Sequence, residues 1–401
     1  MNKSVMLLAV LALFGAGPQA ALAQAAQHEP IINPVPIVVP SPPEIAAKAY
    51  IMIDANSGRV LAEKNADERL PPASLTKLMT SYVLSYELEL GHVHKSDMVT
   101  VSKNAWAQNP EFDGSSKMFI RAGTQVSLGD LDQGLVVSSG NDAATAIAEY
   151  LAGSDSAFAD VMNEHAKRLG MTNSHFVNPH GLPDPDHYTT ARDLAKLTQA
   201  IIGFPKEYAL YKEKEFTYNH ITQKNRNGLL WRDPSVDGLK TGHTEAAGYC
   251  LVASALRNGM RLITVVLGTD SWNMREQESE KLLSYGFRYF ETGKFYQAGA
   301  EIAHPRVWGG DKDEVKLGVA KDVVLTYPRG KRDKIQAVMN VDKYPHAPIA
   351  ANQKVGEMVV TLDGDTLYRG PLVALEPVDS GGFFHRMWDA LVLFFTKLLS
   401  H

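Results

Sequence analysis

The most informative stretch of this sequence is residues 71–80, PPASLTKLMT. It contains Ser74, the one serine in the sequence with a lysine three positions later, Lys77. A proline pair followed by small and polar residues predicts the start of a helix, where residues three apart share one face. The Lys77 amine could therefore activate the Ser74 hydroxyl, which on its own is a poor nucleophile. Taken alone, the stretch favours a simpler interpretation, a helix cap with an exposed lysine behind it.

The composition is that of an ordinary globular protein with more than one domain. The chain has 401 residues, of which 45% are hydrophobic and 21% are charged. Its net charge of -5 gives no electrostatic attraction for nucleic acid, so no nucleic-acid partner is expected. A single cysteine, Cys250, excludes an internal disulfide and lies in an apolar run typical of a buried strand.

The first residues predict an export signal. Lys3 precedes a short apolar core, and Ala21-Leu22-Ala23 has the small-x-small pattern of a cleavage site. We therefore expect a signal peptide over residues 1–23. Because six prolines follow, residues 24–43 are expected to form an extended leader. The mature protein is then expected outside the cytoplasm.

Turn signals divide the next part of the chain into strands and helices. A hairpin is predicted around Asn56-Ser57-Gly58, and a second at Asn258-Gly259, which lies between two apolar runs. Helices are predicted most clearly over residues 142–151 and again over 275–292, the latter closed by Gly293. If the early strands pair with the late ones, they form one sheet with helical layers.

Two smaller parts follow a first domain that we place at residues 44–293. Residues 294–378 alternate short apolar runs with turn signals such as Asp363-Gly364, which predicts a small all-β domain serving as a spacer or interaction module. Residues 379–401 predict an amphipathic helix.

The two faces of that terminal helix differ in polarity. On a helical wheel the polar face comprises His385, Arg386, Asp389, Thr396 and Lys397. The apolar face comprises Met387, Trp388, Leu391, Phe394, Phe395, Leu398 and Leu399, with Leu393 as the misfit. The helix could dock on the protein's own core. Its aromatic content and the preceding Gly381-Gly382 favour a helix that lies in a membrane interface.

Two further motifs change the interpretation of Ser74-x-x-Lys77. Ser139-Gly140-Asn141 opens a predicted helix, and Lys240-Thr241-Gly242 lies on a predicted strand. Each tripeptide alone is weak evidence, but all three in this order form a strong signal.

In these motifs the sequence resembles the serine penicillin-binding proteins and β-lactamases. The closer resemblance is to D-alanyl-D-alanine carboxypeptidases of the low-molecular-mass penicillin-binding protein class, in His243 and in the segment Asn225–Trp231 as well. It implies an α+β fold. A β-lactamase/transpeptidase-like domain, with an antiparallel sheet and helical layers, would precede the small all-β domain and the amphipathic helix.

The resemblance also implies roles for the motif residues. Ser74 would attack the carbonyl between the two terminal D-alanines of a peptidoglycan pentapeptide. Lys77 would be the general base, and Ser139 would pass a proton to the leaving amine. The substrate-binding residues would be Asn141, Lys240, Thr241, Gly242, His243 and Arg275, although an early helical arginine such as Arg275 could instead form a surface ion pair.

Inhibitors and location follow from the same resemblance. β-Lactams would acylate Ser74 as covalent inhibitors, and the oxyanion hole would be formed by the backbone N–H groups of Ser74 and His243. No metal ion or cofactor is expected. The protein would lie at the periplasmic face of the bacterial inner membrane, anchored peripherally by its C-terminal helix.

Two alternatives remain open from the sequence. A class A-type β-lactamase would need a glutamate in a Glu-x-x-Leu-Asn pattern, and Glu215–Asn219 is the nearest match. A catalytically idle scaffold that binds peptidoglycan is the alternative from another functional class, although the three intact motifs weigh against it.

Overall fold

The computed structural model describes residues 38–399, so the predicted signal peptide and most of the predicted leader lie outside the described residues. The strands are β1 (Ala49–Asp54), β2 (Val60–Lys64), β3 (Met98–Thr100), β4 (Gln125–Ser127), β5 (Glu215–Tyr218), β6 (Ile221–Lys224), β7 (Val236–Thr244), β8 (Gly248–Arg257), β9 (Met260–Thr269), β10 (Phe290–Tyr296), β11 (Leu317–Gly318), β12 (Val323–Pro328), β13 (Gln336–Val341), β14 (Lys354–Leu362) and β15 (Asp365–Ala374). The helices are α1 (Lys77–Glu89), α2 (Leu128–Gln133), α3 (Asn141–Ala152), α4 (Asp155–Arg168), α5 (Ala191–Ile202), α6 (Pro205–Tyr208), α7 (Leu229–Arg232), α8 (Trp272–Tyr289) and α9 (Phe383–Leu399).

The first domain is built on an antiparallel sheet whose strand order is β2-β1-β9-β8-β7. The hairpin predicted at Asn258-Gly259 is confirmed, because both residues have positive φ (49° and 80°) between β8 and β9. The first and last strands pair, as β1 lies beside β9. β7 is therefore an edge strand with one side free of strand neighbours among the described residues.

Apolar residues alternate across this sheet and cover both of its faces. On β1, Ile51 and Ile53 belong to one core, whereas Tyr50 and Met52 belong to the other. Helices α1 to α5 contribute to the first core and α8 contributes to the second. Because the side-chain period of a strand is two, this alternation places one helical layer on each face.

The end of α8 differs from the sequence prediction. The helix ends at Tyr289, not at Thr292, and Gly293 lies within β10. Residues 290–296 pair with β12, and this pairing outweighs the tendency of a glycine to end a helix. The strand therefore spans the predicted domain boundary at 293/294, and that boundary remains a prediction.

The β-rich part contains the sheet β11-β15-β14-β13 and the ribbon β10-β12 around a core of their own. The hairpin predicted at Asp363-Gly364 joins β14 to β15 and is confirmed. Polar contacts link this part to the first hairpin. Thr292 Oγ1 donates to Asp54 Oδ2 at 2.7 Å, and Arg59 Nη1 donates to the Thr326 carbonyl at 2.7 Å.

The terminal helix α9 docks by one edge only. Asp389 is 2% exposed and accepts hydrogen bonds from Arg306 Nη2 (3.0 Å) and the Gly309 N–H (2.7 Å). Leu393, the misfit of the helical wheel, is 6% exposed because it shares that edge. The aromatic face remains exposed, with Trp388 at 64%. Among the described residues, no helix is both long and apolar enough to cross a membrane.

Candidate active site

Ser74 lies in a 3-10 turn, Ala73–Thr76, that runs directly into α1 at Lys77. Lys77 Nζ lies 3.1 Å from Ser74 Oγ, 2.6 Å from Asn141 Oδ1 and 2.6 Å from the His180 carbonyl oxygen. Lys77 is only 1% exposed. The spacing of three residues thus brings the amine to the hydroxyl, as the sequence predicts.

The surroundings of Lys77 disfavour its charge. Burial, together with the positive charge of Arg226, lowers the pKa of Lys77 to about 7, against a smaller opposing effect of the Asp142 carboxylate. A large fraction of the amine is therefore neutral near pH 7, as a general base requires.

Ser139 and Lys240 form a second serine–lysine pair. Lys240 Nζ donates to Ser139 Oγ at 2.8 Å and also contacts the Thr241 carbonyl at 3.2 Å. Burial and the nearby charges of Lys77, Arg226 and Arg275 hold the pKa of Lys240 well below its ordinary value. Ser139 has a left-handed backbone (φ 59°) at the start of α3.

The loop that carries Ser139 is fixed by Asp142, which sequence reasoning did not single out. Its carboxylate accepts the backbone N–H groups of Met118 (2.7 Å), Phe119 (2.8 Å) and Ile120 (3.2 Å). A Cβ at Gly140 would lie 2.8 Å from Asp142 Oδ1, so glycine is required at the centre of the motif. Asp142 thereby ties the loop before β4 to the Ser139 motif.

Strand β7 forms the wall of the site that lies opposite the Ser139 loop. A Cβ at Gly242 would lie 3.0 Å from the Pro72 carbonyl oxygen and 3.2 Å from Leu75 Cγ, so glycine lets the strand approach the turn that carries Ser74. His243 stacks on Tyr249 with ring centroids 4.0 Å apart.

These residues surround a cavity of about 430 Å³, called here the catalytic cavity. Its lining includes the predicted residues Ser74, Ser139, Asn141, Thr241, Gly242, His243 and Arg275. The other two predicted residues, Lys77 and Lys240, are buried and reach Ser74 and Ser139 with their amines.

Arg275 faces the catalytic cavity as a buried cation. Its guanidinium lies 3.4 Å from the carbonyl oxygens of Gly242 and Arg226, and its Nε has no hydrogen-bond partner among the described residues. The sequence left a surface ion pair as the alternative for Arg275, but the side chain is buried. An unsatisfied buried guanidinium is suited to an incoming carboxylate.

Other contributors were missed by sequence reasoning. The His180 carbonyl holds Lys77, and burial lowers the pKa of His180 to about 3, so its ring is neutral. Arg226, which contacts Ser116 Oγ, lines the cavity. The loop 178–185 supplies the contact of His180 with Lys77 through a backbone carbonyl, which carries no sequence signal. Glu215, the β-lactamase candidate, lies on β5 and does not line the cavity.

Comparisons with known proteins agree with this geometry. Residues 37–271 match the family model described as D-alanyl-D-alanine carboxypeptidase, and residues 290–380 match that of the penicillin-binding protein 5 C-terminal domain. The chain belongs to the D-alanyl-D-alanine carboxypeptidase family. The resemblance and fold class expected from the sequence are thereby confirmed.

Relatives in this family cover nearly the whole chain. D-alanyl-D-alanine carboxypeptidase DacA of Escherichia coli K12 is 48% identical over 375 residues, which are 92% of this chain and 93% of the relative. The crystal structure of penicillin-binding protein 5 from Haemophilus influenzae has a TM-score of 0.83 at 47% identity and covers 85% of this chain and 100% of its own. Penicillin-binding protein D2 of Listeria monocytogenes, solved in a cefotaxime-bound form, has a TM-score of 0.56 at 29% identity and covers 62% of this chain and 100% of its own.

Proposed function

We propose that this carboxypeptidase removes the terminal D-alanine from peptidoglycan pentapeptide stems through an acyl-enzyme on Ser74. The observation that carries the proposal is the contact of Ser74 Oγ with the buried amine of Lys77, whose pKa is lowered to about 7. Membership of the family gives the reaction class, and the assignment of roles to individual residues is our proposal.

Hydrogen-bond chemistry supports Lys77 as the base. A neutral amine has two N–H donors and one lone pair, and two of its three partners, Asn141 Oδ1 and the His180 carbonyl, can only accept. The lone pair is then left for the remaining partner, the Ser74 hydroxyl. Lys77 takes the proton as Ser74 Oγ attacks the carbonyl carbon, which avoids a free alkoxide.

The second serine–lysine pair serves the leaving group. As the tetrahedral intermediate collapses, the C–N bond breaks. The leaving nitrogen takes up, by way of Ser139, the proton that Lys77 had accepted, and Lys240 keeps Ser139 oriented. The backbone N–H groups of Ser74 and His243 are proposed to stabilise the oxyanion. Water then attacks the ester carbon, and the bond from that carbon to Ser74 Oγ breaks. The proton that the water loses passes through Lys77 to Ser74 Oγ, and the oxygen of the water becomes part of the new carboxylate of the shortened stem.

Positive charge at one end of the catalytic cavity explains why the terminal residue is removed. Lys240, Thr241 and Arg275 are proposed to bind the carboxylate of the last D-alanine. An internal peptide bond lacks that carboxylate and would leave the Arg275 guanidinium unpaired, which is costly for a buried charge.

β-Lactams are proposed to acylate the same serine. The Listeria relative was solved with cefotaxime bound. In this chain the strained lactam carbonyl would take the place of the scissile carbonyl at Ser74 Oγ. Glu245 lines the catalytic cavity but does not begin a Glu-x-x-Leu-Asn pattern, and Glu215, the nearest match to that pattern, does not line the cavity. Slow hydrolysis of the ester is therefore expected.

The domain limits predicted from the sequence are retained as a proposal. They assign residues 44–293 to the peptidase, 294–378 to the all-β domain and 379–401 to the helix, after a signal peptide (1–23) and leader (24–43). We also propose export and peripheral attachment to the periplasmic face of the inner membrane through α9. The exposure of its aromatic face supports attachment, because an interfacial helix buries such a face at the lipid boundary.

Release of D-alanine from a pentapeptide tests the proposal. We expect release by the unaltered protein, loss of at least a thousandfold in Ser74→Ala, and full activity in Ser284→Ala, an exposed serine on α8. The absence of release by the unaltered, folded protein would instead support the idle scaffold.

A further inference from the structure

A second cavity, of about 530 Å³, adjoins the catalytic cavity and has no role in the mechanism above. The two cavities share Arg226 and Arg275, so they meet at these two guanidinium groups. Two indole rings, those of Trp231 and Trp272, form part of the wall of the second cavity. We call it the tryptophan cavity.

Both tryptophans leave a large part of their rings uncovered. Trp231 on α7 is 46% exposed, and Trp272, the first residue of α8, is 57% exposed. Exposed apolar surface beside a polar rim is typical of a binding site. The faces of an aromatic ring carry partial negative charge and attract the C–H groups that cover the faces of a pyranose sugar. The two indoles are therefore suited to a saccharide.

The negative charge at the tryptophan cavity is compensated within the protein. Among the described residues, Glu276 is the one carboxylate that lines the cavity. It is buried, accepts the backbone N–H of Gly228 at 3.0 Å and forms a salt bridge with Arg232. Glu276 therefore has no charge left for a cationic ligand.

The positive charges at the cavity are not compensated in this way. Lys224, Arg226 and Arg275 all line it, and none of the three forms a salt bridge within residues 38–399. The Lys214 ammonium lies 5.9 Å from the Trp231 ring centroid and adds a further cation. The tryptophan cavity is thus complementary to a ligand that carries negative charge.

Lys224 can bind an anion without disturbing the catalytic site. It is exposed at the end of β6 and lines the tryptophan cavity but not the catalytic cavity. Arg275 also faces the catalytic cavity, where it is proposed to bind the carboxylate of the last D-alanine. A carboxylate on a saccharide therefore pairs with Lys224, and Arg275 remains available to the stem peptide.

The position of the cavity determines which part of peptidoglycan reaches it. The carboxylate that Arg275 binds is the end of the stem peptide, and the glycan that carries this stem lies at the other end of the peptide. A saccharide in the tryptophan cavity therefore belongs to a neighbouring glycan strand. In such a strand the sugar that carries a carboxylate is N-acetylmuramic acid, whose lactyl carboxylate is free only where the stem has been removed.

We propose that the tryptophan cavity binds a neighbouring glycan strand at a muramic acid residue that has lost its stem peptide. The sugar rings pack on Trp231 and Trp272, and the lactyl carboxylate pairs with Lys224. Binding there holds the enzyme on the polymer and raises the local concentration of stems at Ser74. The inference rests on the proposed function in that peptidoglycan is the polymer on which this chain acts.

Two tetrasaccharides test the inference by calorimetric titration of the full-length protein. One is a peptidoglycan tetrasaccharide freed of its stems by an amidase, which carries lactyl carboxylates, and the other is chitotetraose, which is neutral. We expect the stem-free tetrasaccharide to bind about tenfold more tightly, the size of one charge-assisted hydrogen bond. Lys224→Gln should remove that difference, whereas Arg121→Gln, at an exposed arginine that lines neither cavity, should keep it.

Substitution of Trp272 tests the packing of the sugar rings. Trp272→Ser is expected to weaken the binding of both tetrasaccharides about tenfold, whereas Trp272→Phe, which keeps an aromatic face, retains most of the affinity. The matched control is Leu256→Ser, at an exposed apolar residue on β8 that lines neither cavity. It should bind both tetrasaccharides as the unaltered protein does.

Release of D-alanine connects the tryptophan cavity to the reaction. The rate is measured on lipid-free cell-wall sacculi with pentapeptide stems and on a soluble pentapeptide. We expect Trp272→Ser to lower the ratio of the first rate to the second about threefold or more, since the neighbouring strand no longer holds the enzyme near the stems. Leu256→Ser should leave this ratio unchanged.

The outcomes separate this inference from the function itself. Equal binding of the two tetrasaccharides by the unaltered protein, or no binding of either, would overturn the inference, and so would a Trp272→Ser loss that Leu256→Ser reproduces. Release of D-alanine from the soluble pentapeptide in these cases would leave the proposed function standing. Binding in the expected order without release from either substrate would refute the proposed function and leave a glycan site on an idle scaffold.

Discussion

Lys77 occupies a position in which small electrostatic changes alter the reaction rate. Its amine must be neutral to accept the Ser74 proton, and the positive charge of Arg226 is one reason that the pKa is lowered to about 7. The ability of Lys77 to activate Ser74 is therefore coupled to the charges that surround its amine.

The pH dependence of acylation follows from that coupling. We expect the rate of acylation by benzylpenicillin to rise about tenfold per pH unit below about 7 and to level off above it, as the amine loses its proton. Arg226→Gln should move the midpoint to higher pH, because removing a nearby positive charge makes the protonated amine easier to form. The rate at pH 7 then falls and recovers in alkaline buffer.

Stopped-flow measurement of the acylation rate from about pH 5.5 to about pH 9, which covers up to about two units on either side of the midpoint, checks this prediction. Arg121→Gln should keep the original profile. A midpoint that stays in place or moves to lower pH in Arg226→Gln would contradict the assigned role of Lys77.

At the scale of single residues, the sequence predicted which catalytic side chains come together, but it did not predict the groups that surround them. Spacing and motif order placed Ser74 with Lys77, and the structure brings Ser139 to Lys240. The third partner of Lys77 is a backbone carbonyl at His180, and the field at its amine depends on Arg226. Both effects arise from tertiary burial, which no local pattern encodes.

At the scale of elements, the loop 178–187 packs closely against the turn Ala73–Thr76, which carries Ser74, and stabilises it. Gly181 has φ +90°, and a Cβ there would lie 1.9 Å from the Ala73 carbonyl oxygen. Thr80 Oγ1 donates to the Pro179 carbonyl at 2.6 Å, and Thr76 Oγ1 lies 2.8 Å from His187 Nε2. The loop thereby presents the His180 carbonyl to Lys77.

Gly181→Ala should disrupt this contact. The clash with backbone and the left-handed φ both oppose the new side chain, so we expect a loss of at least about 3 kcal/mol in the free energy of unfolding and at least a hundredfold loss of acylation rate. Gly123→Ala is the matched control, because Gly123 also has a positive φ (79°) but a Cβ added to it would have no neighbouring atom within 4 Å. It should cost about 1 kcal/mol and leave acylation unchanged.

Urea unfolding and penicillin acylation measured on both variants check this prediction. Equal effects of the two substitutions would mean that backbone conformation alone matters and that the close approach of the loop does not.

Among the strands and helices, the sequence predicted those features that residues in local turns determine. The hairpin at Asn258-Gly259 and helix α3 carry strong signals at their ends, and both are confirmed. The predicted end of α8 was wrong because a strand distant in sequence, β12, determines where β10 begins. Pairing between strands far apart in sequence outweighs a single glycine.

Over the whole molecule, α9 combines two surfaces. The edge with Asp389 and Leu393 fixes the helix to the β-rich part, and the opposite face exposes Phe383, Phe384, Trp388 and Phe394. The helical wheel drawn from the sequence placed Asp389 on the polar face, and the structure buries this residue. Its burial follows from Arg306, whose partner cannot be identified from the helix alone.

Removing two aromatic side chains should weaken membrane attachment. Trp388→Ser combined with Phe394→Ser is expected to lower the partition constant onto anionic lipid vesicles at least tenfold, because each side chain loses the free energy of burial in the interface. Hydrolysis of a soluble pentapeptide should not change, since neither residue lines the catalytic cavity.

Co-sedimentation with vesicles checks the prediction. The matched control is Leu256→Ser combined with Val338→Ser, two exposed apolar residues on β8 and β13. An equal loss of binding in both pairs would show that α9 is not the attachment site.

Mass spectrometry of the penicillin-treated protein decides whether Ser74 is the residue that becomes acylated. We predict a long-lived adduct of one penicillin per chain, located on the peptide that contains Ser74 and absent from Ser74→Ala. An adduct on another residue would show that Ser74 is not the nucleophile. Rapid conversion of penicillin without any trapped adduct would contradict the slow ester hydrolysis expected of this carboxypeptidase.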